Sequence, residues 1–156
     1  CNSAMGFQTN AYKMLAESFA KSGIATLRYD KRGIGKSKSA MISESELRFE
    51  TYINDAVEWI KLLKTDKRFT SVIVLGHSEG SLIGMVAAQQ IKIDKFISIA
   101  GSGKSADNLL KDQLKTNLTF QLLLESNRIL DSLKSGKTVS NVNSQLFSLF
   151  RPSVQP

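Results

Sequence analysis

Val72-Ile73-Val74-Leu75-Gly76-His77-Ser78-Glu79-Gly80-Ser81 is the stretch on which the reading of this chain turns. Four consecutive apolar residues are the pattern of a parallel strand covered on both faces. Ser81 to Gln90 then reads as a helix, apolar nearly all round through Leu82, Ile83, Met85, Val86 and Ala87, and is expected to be buried. Between strand and helix stands G-x-S-x-G. A serine there occupies a strained turn that lifts its hydroxyl clear at the strand's C-terminal end. Side chains flanking the serine would collide with neighbouring backbone, which accounts for Gly76 and Gly80. The turn also sets the Glu79 N–H at a helix N-terminus, where backbone donors favour a negative oxygen. Ser78 is therefore a candidate nucleophile. Glu79 is a candidate oxyanion donor through its N–H rather than its carboxylate.

Working outward, strands alternate with helices. Asn10 suits the N-cap of a helix from Ala11 to Ser22, with Gly23 as its stop and Tyr12, Leu15, Ala16 and Phe19 on one face. Ile24 to Tyr29 is a β-prone run ending at Asp30, followed by a loop, Lys31 to Ser39, that holds Gly33 and Gly35. Ser43 and Glu46 fit a capping box for the next helix, whose apolar stripe is Phe49, Tyr52, Ile53, Ala56, Val57, Ile60 and Leu63. Phe96 to Ala100 is a third strand, ending at Gly101-Ser102-Gly103. Such alternation predicts a parallel α/β sheet with flanking helices. From Ala106 the pattern becomes helix only, with segments around Leu109, Leu110 and Leu114, from Leu118 to Leu133, and at Val142, Leu146, Phe147 and Phe150.

Composition bounds the function. With 156 residues, 42% hydrophobic and 22% charged, the chain can build a core. No apolar run is long enough for a spanning helix. One cysteine, Cys1, and one histidine, His77, exclude an internal disulfide, a thiolate metal site and a multi-histidine centre, and no metal is expected. Net charge is +7, and residues 1–40 hold seven basic against two acidic groups. Much of that excess is Lys31, Arg32, Lys36 and Lys38 in one loop without interleaved aromatics, which reads as solvated surface and not as a nucleic-acid site. Cys1 to Phe7 lacks the features of a signal peptide. Gly35-Lys36-Ser37 and Gly103-Lys104-Ser105 imitate the end of a phosphate-binding loop, but Asp30 and Ser98 stand where that pattern needs glycine. Asn117-Leu118-Thr119 is a formal glycosylation sequon inside an expected helix and carries little weight.

Two segments carry a family resemblance. Tyr29-Asp30-Lys31-Arg32-Gly33-Ile34-Gly35-Lys36-Ser37 resembles the Y-D-x-R-G-x-G-x-S segment after the fourth strand of α/β hydrolases, and Leu75 to Ser81 resembles their nucleophile elbow. The chain thus resembles the α/β-hydrolase superfamily, particularly bacterial esterases and serine-aminopeptidase-like hydrolases. The resemblance implies a partial α/β-hydrolase sheet with a helical lid or cap: residues 1–103 as the central part of the core, 104–150 as the lid, 151–156 as a tail. It implies a serine hydrolase of carboxylesterase type, acting on a small acyl ester without a cofactor. Asp30 and Arg32 would be buried residues bracing their loop, and His77 a residue packed beside the elbow.

Departures from the family pattern are equally informative. A triad of this family runs Ser, then acid, then His. No histidine follows Ser78, and His77 is adjacent to it, where consecutive side chains diverge. Asp107, beyond strand 96–100, lies where some relatives carry the acid, but it already belongs to the lid. The base and the acid are therefore expected outside these residues, as is the second oxyanion donor. The family's third strand, which separates the strands matching 24–29 and 72–75, is not matched. The 156 residues alone are expected to be inactive and to self-associate through exposed strand edges. The alternative reading is an inactive hydrolase-like fragment or a binding module.

Overall fold

A computed structural model describes residues 3–4 and 7–155; Cys1, the rest of the N-terminal stretch and Pro156 lie outside the described residues. The chain divides between Ile42 and Ser43 into two compact units. In the first, β1 (Ser3–Ala4) pairs antiparallel with β2 (Phe7–Gln8), and α1 spans Ala11–Lys21. The stripe expected on α1 is its half-buried side: Tyr12, Leu15, Ala16 and Phe19. Gly23, at φ +74°, ends the helix, with its N–H on Ala20 O and the Ile24 N–H on Phe19 O, both near 3 Å. Only a residue free of Cβ crowding takes that left-handed position cheaply. The run Ile24 to Tyr29, expected as a strand, belongs to neither sheet. A β-prone sequence becomes a strand only through a hydrogen-bonded neighbour, and this run has none in either ladder.

The second unit holds the parallel sheet. Its first helix, α2 (Phe49–Thr65), begins later than the expected capping box. The Ser43 hydroxyl donates to Glu46 Oε2 at 2.6 Å, so these two side chains close a turn on each other instead of capping a helix. The helix start is held by Thr51 Oγ1, which accepts the Arg48 N–H at 3.3 Å. Next come β3 (Ile73–His77), α3 (Glu79–Gln90) and β4 (Lys95–Ile99). The strands run parallel, as expected, with Ile73 opposite Lys95 and His77 opposite Ile99. Asp94 fixes the register: its Oδ2 accepts the Val72 N–H at 2.7 Å and its own N–H donates to Val72 O at 3.0 Å.

One face of this sheet is the core. Ile53, Ala56, Val57 and Ile60 of α2 meet Val72 and the α3 residues Ile83 and Ala87. Gly84 lets α3 lie close on the strands, since a Cβ there would stand 3.0 Å from the Phe96 ring and 3.1 Å from Val74. The opposite face differs from the expectation of two-sided cover, because Ile73, Ile97 and Ile99 are exposed at 44%, 41% and 39%. Period-two alternation over 72–74, leading into β3, sends Val72 and Val74 to the helices and Ile73 away from them. Nor is α3 buried all round, since Leu82 and Met85 lie on its outer side. A helix packed on one sheet face has only one stripe to hide.

Beyond β4 lie α4 (Ala106–Lys115), α5 (Phe120–Lys134) and the one-turn α6 (Phe147–Phe150). Their leucines form a core of their own: Leu114, Ile129, Leu130, Val142, Leu146 and Phe150 are buried together. Phe147 is exposed. Gly136 (φ +74°) closes α5 as Gly23 closes α1. Gln155 turns back, accepting the Val139 N–H at 2.6 Å and donating to Val139 O at 2.7 Å. Arg151 grips Glu44 ahead of α2, with its Nε 3.0 Å from Glu44 Oε2, and the Ser153 hydroxyl adds a further bond to the same carboxylate. The Arg151 hydrogen bonds, then that of the Ser153 hydroxyl, hold the Glu44 carboxyl down at about 2 from an ordinary 4.5.

Two outcomes follow from this packing. Ile60→Ala, at a site 4% exposed, should cost about 2–5 kcal/mol in a urea midpoint measurement, whereas Leu62→Ala, 55% exposed, should change it far less. A depressed carboxyl stabilises the fold fully above its unfolded value and loses that contribution as pH falls. The stability difference between wild type and Glu44→Gln should therefore be constant above about pH 4.5 and shrink as pH falls towards about 2. Denaturant midpoints measured across that range check it; a difference independent of pH contradicts the clamp.

Candidate active site

Ser78 follows the last residue of β3 and precedes the first residue of α3. Its backbone stands at φ 54°, ψ −122°, a region non-glycine residues rarely occupy. Conformations of this kind persist only where surrounding contacts over-determine them. Here the contacts are explicit. The Ser78 N–H donates to Ile99 O at 2.9 Å, and Ser78 O accepts the Ser81 N–H at 2.9 Å. Ser78 itself is exposed, so the turn presents its hydroxyl to solvent. Glu79 is the first residue of α3, with its N–H at the positive end of the helix dipole and its side chain exposed.

The two glycines of the motif differ. A Cβ on Gly76 would lie 2.2 Å from Gly80 O, 2.6 Å from Gly80 C and 2.7 Å from Ser81 Cα, so β3 and α3 approach within the space a methyl group needs. A Cβ on Gly80 would meet nothing within 4 Å. The expectation that Gly80 lacks room is thus corrected: the crowded atom of Gly80 is its carbonyl, and the crowding is against Gly76. His77, expected to pack beside the elbow, ends β3 and is exposed.

Three participants carry weaker signals in the sequence. Ser81 is 4% exposed, and its hydroxyl lies 2.8 Å from Gly76 O and 3.1 Å from Ile99 O. Its signal is a lone hydroxyl in an apolar helix. Ala100, at φ 49°, is the other non-glycine residue with positive φ among those described, and nothing in an alanine announces that. Gly101 permits the close pass after β4, since a Cβ there would stand 2.5 Å from Ser98 Oγ and 2.9 Å from Ser81 Cβ.

Asp30 and Arg32 lie in the first unit and are half-buried, not buried as expected. They do brace their loop. Asp30 Oδ2 accepts the Lys36 N–H at 3.0 Å, and that backbone donor lowers the Asp30 carboxyl below its ordinary range. Gly33 and Gly35 have φ 81° and 53°, and a Cβ on Gly35 would stand 2.3 Å from Asp30 Oδ2. Arg32 Nη1 donates to Ala40 O at 2.9 Å. Asp107 is engaged elsewhere: Lys134 donates to it at 2.7 Å, and chiefly this hydrogen bond depresses its carboxyl strongly. Among the described residues, no three His, Cys, Asp or Glu side chains gather as a metal site would need.

The family is decided by comparison with known proteins. The family model for serine aminopeptidase S33 matches residues 4–146. The chain belongs to this α/β-hydrolase family. Esterase EstD of Thermotoga maritima is 32% identical over 128 residues, covering 79% of this chain and 30% of that protein. A monoglyceride lipase homolog of Monkeypox virus is 30% identical over 83 residues, covering 53% of this chain and 29% of that protein. The chain therefore spans about three-tenths of the length of these curated relatives. No solved structure matches significantly. The parallel sheet with flanking helices is a partial α/β-hydrolase fold.

The glycine contrast is directly measurable. Gly76→Ala should destabilise by about 1–3 kcal/mol or more, because a backbone collision cannot relax by rotating a side chain. Gly80→Ala should be neutral or gain up to about 1 kcal/mol from helix propensity. Thermal or urea midpoints of equal size for the two variants contradict the turn geometry described.

Proposed function

We propose that Ser78 is the nucleophile of a serine hydrolase of carboxylesterase type, acting on small acyl esters. The observation that carries this reading is the backbone of Ser78, held at φ 54° and ψ −122° with its side chain exposed between β3 and α3. Strained backbone of this kind clusters at active sites and ligand clamps. Family membership and the name of the Thermotoga maritima relative support ester chemistry.

In this mechanism Ser78 Oγ attacks the acyl carbonyl and the Glu79 N–H stabilises the developing oxyanion. Gly76, His77 and Gly80 shape the turn, while Asp30 and Arg32 hold a separate loop. A histidine base and an acid come from residues outside this sequence, because its single histidine, His77, adjoins Ser78. No cofactor takes part. Residues 1–103 belong to the hydrolase core, 104–150 form a lid and 151–156 a tail; the separate buried cluster of α4 to α6 supports the lid assignment. The 156 residues alone are inactive, since a serine hydroxyl without its base is a weak nucleophile at neutral pH. The exposed Ile73, Ile97 and Ile99 support self-association of the isolated chain.

In the full-length protein, Ser78→Ala should lower p-nitrophenyl ester turnover by about 10⁴-fold or more without shifting the melting midpoint appreciably. Retention of most turnover contradicts the assignment, and then the alternative of a non-catalytic binding module takes its place.

A further inference from the structure

The site contains one buried polar group that the proposed mechanism leaves without a task. Ser81 is 4% exposed, and its hydroxyl stands at the junction of three segments. It reaches Gly76 O at 2.8 Å, at the end of β3, and Ile99 O at 3.1 Å, at the end of β4. Its own N–H returns to Ser78 O at 2.9 Å. Ile99 O is at the same time the acceptor of the Ser78 N–H, at 2.9 Å. The two strand ends and the first turn of α3 thus share a single hydroxyl, and one of its acceptors also fixes the backbone of Ser78.

We infer that Ser81 is a positioning residue for Ser78, its hydroxyl locking the ends of β3 and β4 so that the Ser78 turn keeps its strained backbone. The inference rests on the reading of Ser78 as nucleophile. Both neighbouring segments pass close to the same residue. A Cβ on Gly76 would stand 2.7 Å from Ser81 Cα, and one on Gly101 would stand 2.9 Å from Ser81 Cβ. The adjacent Ala100 takes φ 49°, so the chain leaving β4 is strained beside the strained turn leaving β3. A buried hydroxyl that is removed leaves its carbonyl acceptors without that donor, and the turn can then relax. Relaxation at Ser78 moves its Oγ and the Glu79 N–H off the geometry they share, and displacements on the order of 1 Å can cost about a hundredfold in rate.

A second buried serine provides the control. Ser126 is fully buried in α5 and its hydroxyl donates to Leu123 O at 2.9 Å, within its own helix. Both Ser81→Ala and Ser126→Ala remove a buried hydroxyl, but only the first touches the carbonyl that holds Ser78. In the full-length protein, turnover of a p-nitrophenyl ester is measured well below the melting midpoint and divided by the sites competent in a fluorophosphonate titration. Ser81→Ala should lower kcat per competent site by roughly ten- to a hundredfold with KM little changed, while Ser126→Ala leaves kcat per site as in the wild type. If Ser81→Ala does not fold, Ser81→Cys, a weaker donor of similar shape, should give a smaller fall in the same direction. Wild-type kcat per site in a folded Ser81 variant overturns the positioning role, as does an equal loss in Ser126→Ala. Undiminished turnover in Ser78→Ala marks the separate failure of the nucleophile reading.

Discussion

The close pass of β3 against the start of α3 is the constraint on which the site depends. Gly76 lies against the Gly80 carbonyl with no space for a methyl group between them. Because the chain must reverse from strand to helix in that space, Ser78 is left with the unusual torsions it adopts. Everything nearby serves that reversal. Ile99 O takes the Ser78 N–H, Ser81 closes the turn from below, and Gly101 lets the chain leave β4 without striking Ser81. The sheet supplies a rigid base because Asp94 fixes the register of β3 on β4. The helix is held by Ile83 and Ala87 in the core.

Much of this was legible from residue order alone, for identifiable reasons. The α2 stripe is recoverable because seven apolar positions recur at helical spacing, and the structure buries or half-buries all of them. The G-x-S-x-G turn is recoverable because an apolar strand precedes it and a helix follows. What could not be read were properties that depend on a neighbour. Ile24 to Tyr29 has strand composition, but composition does not supply a ladder. The run 72–75 is apolar at every position, yet only one face of the sheet is covered among the described residues. Ser43 and Glu46 have capping-box spacing, but they bond to each other.

The site shows the same division. Gly76 and Gly80 look equivalent as letters, and only the direction of the backbone tells that one is crowded and the other open. Ala100 carries no sign of its positive φ, which the pass after β4 imposes. Asp107 is a carboxylate soon after β4, and Lys134 holds it in a contact between α4 and α5. Residue type proposes chemistry; the partners in space decide how the group is used.

The central claim is that the strained turn presents a reactive hydroxyl at Ser78. Its most direct test is to treat the full-length protein with a fluorophosphonate and locate the adduct by peptide mass spectrometry. The account predicts a single adduct, on Ser78, that forms only while the protein is folded. An unmodified Ser78 in the folded protein, or an adduct on another serine, contradicts it.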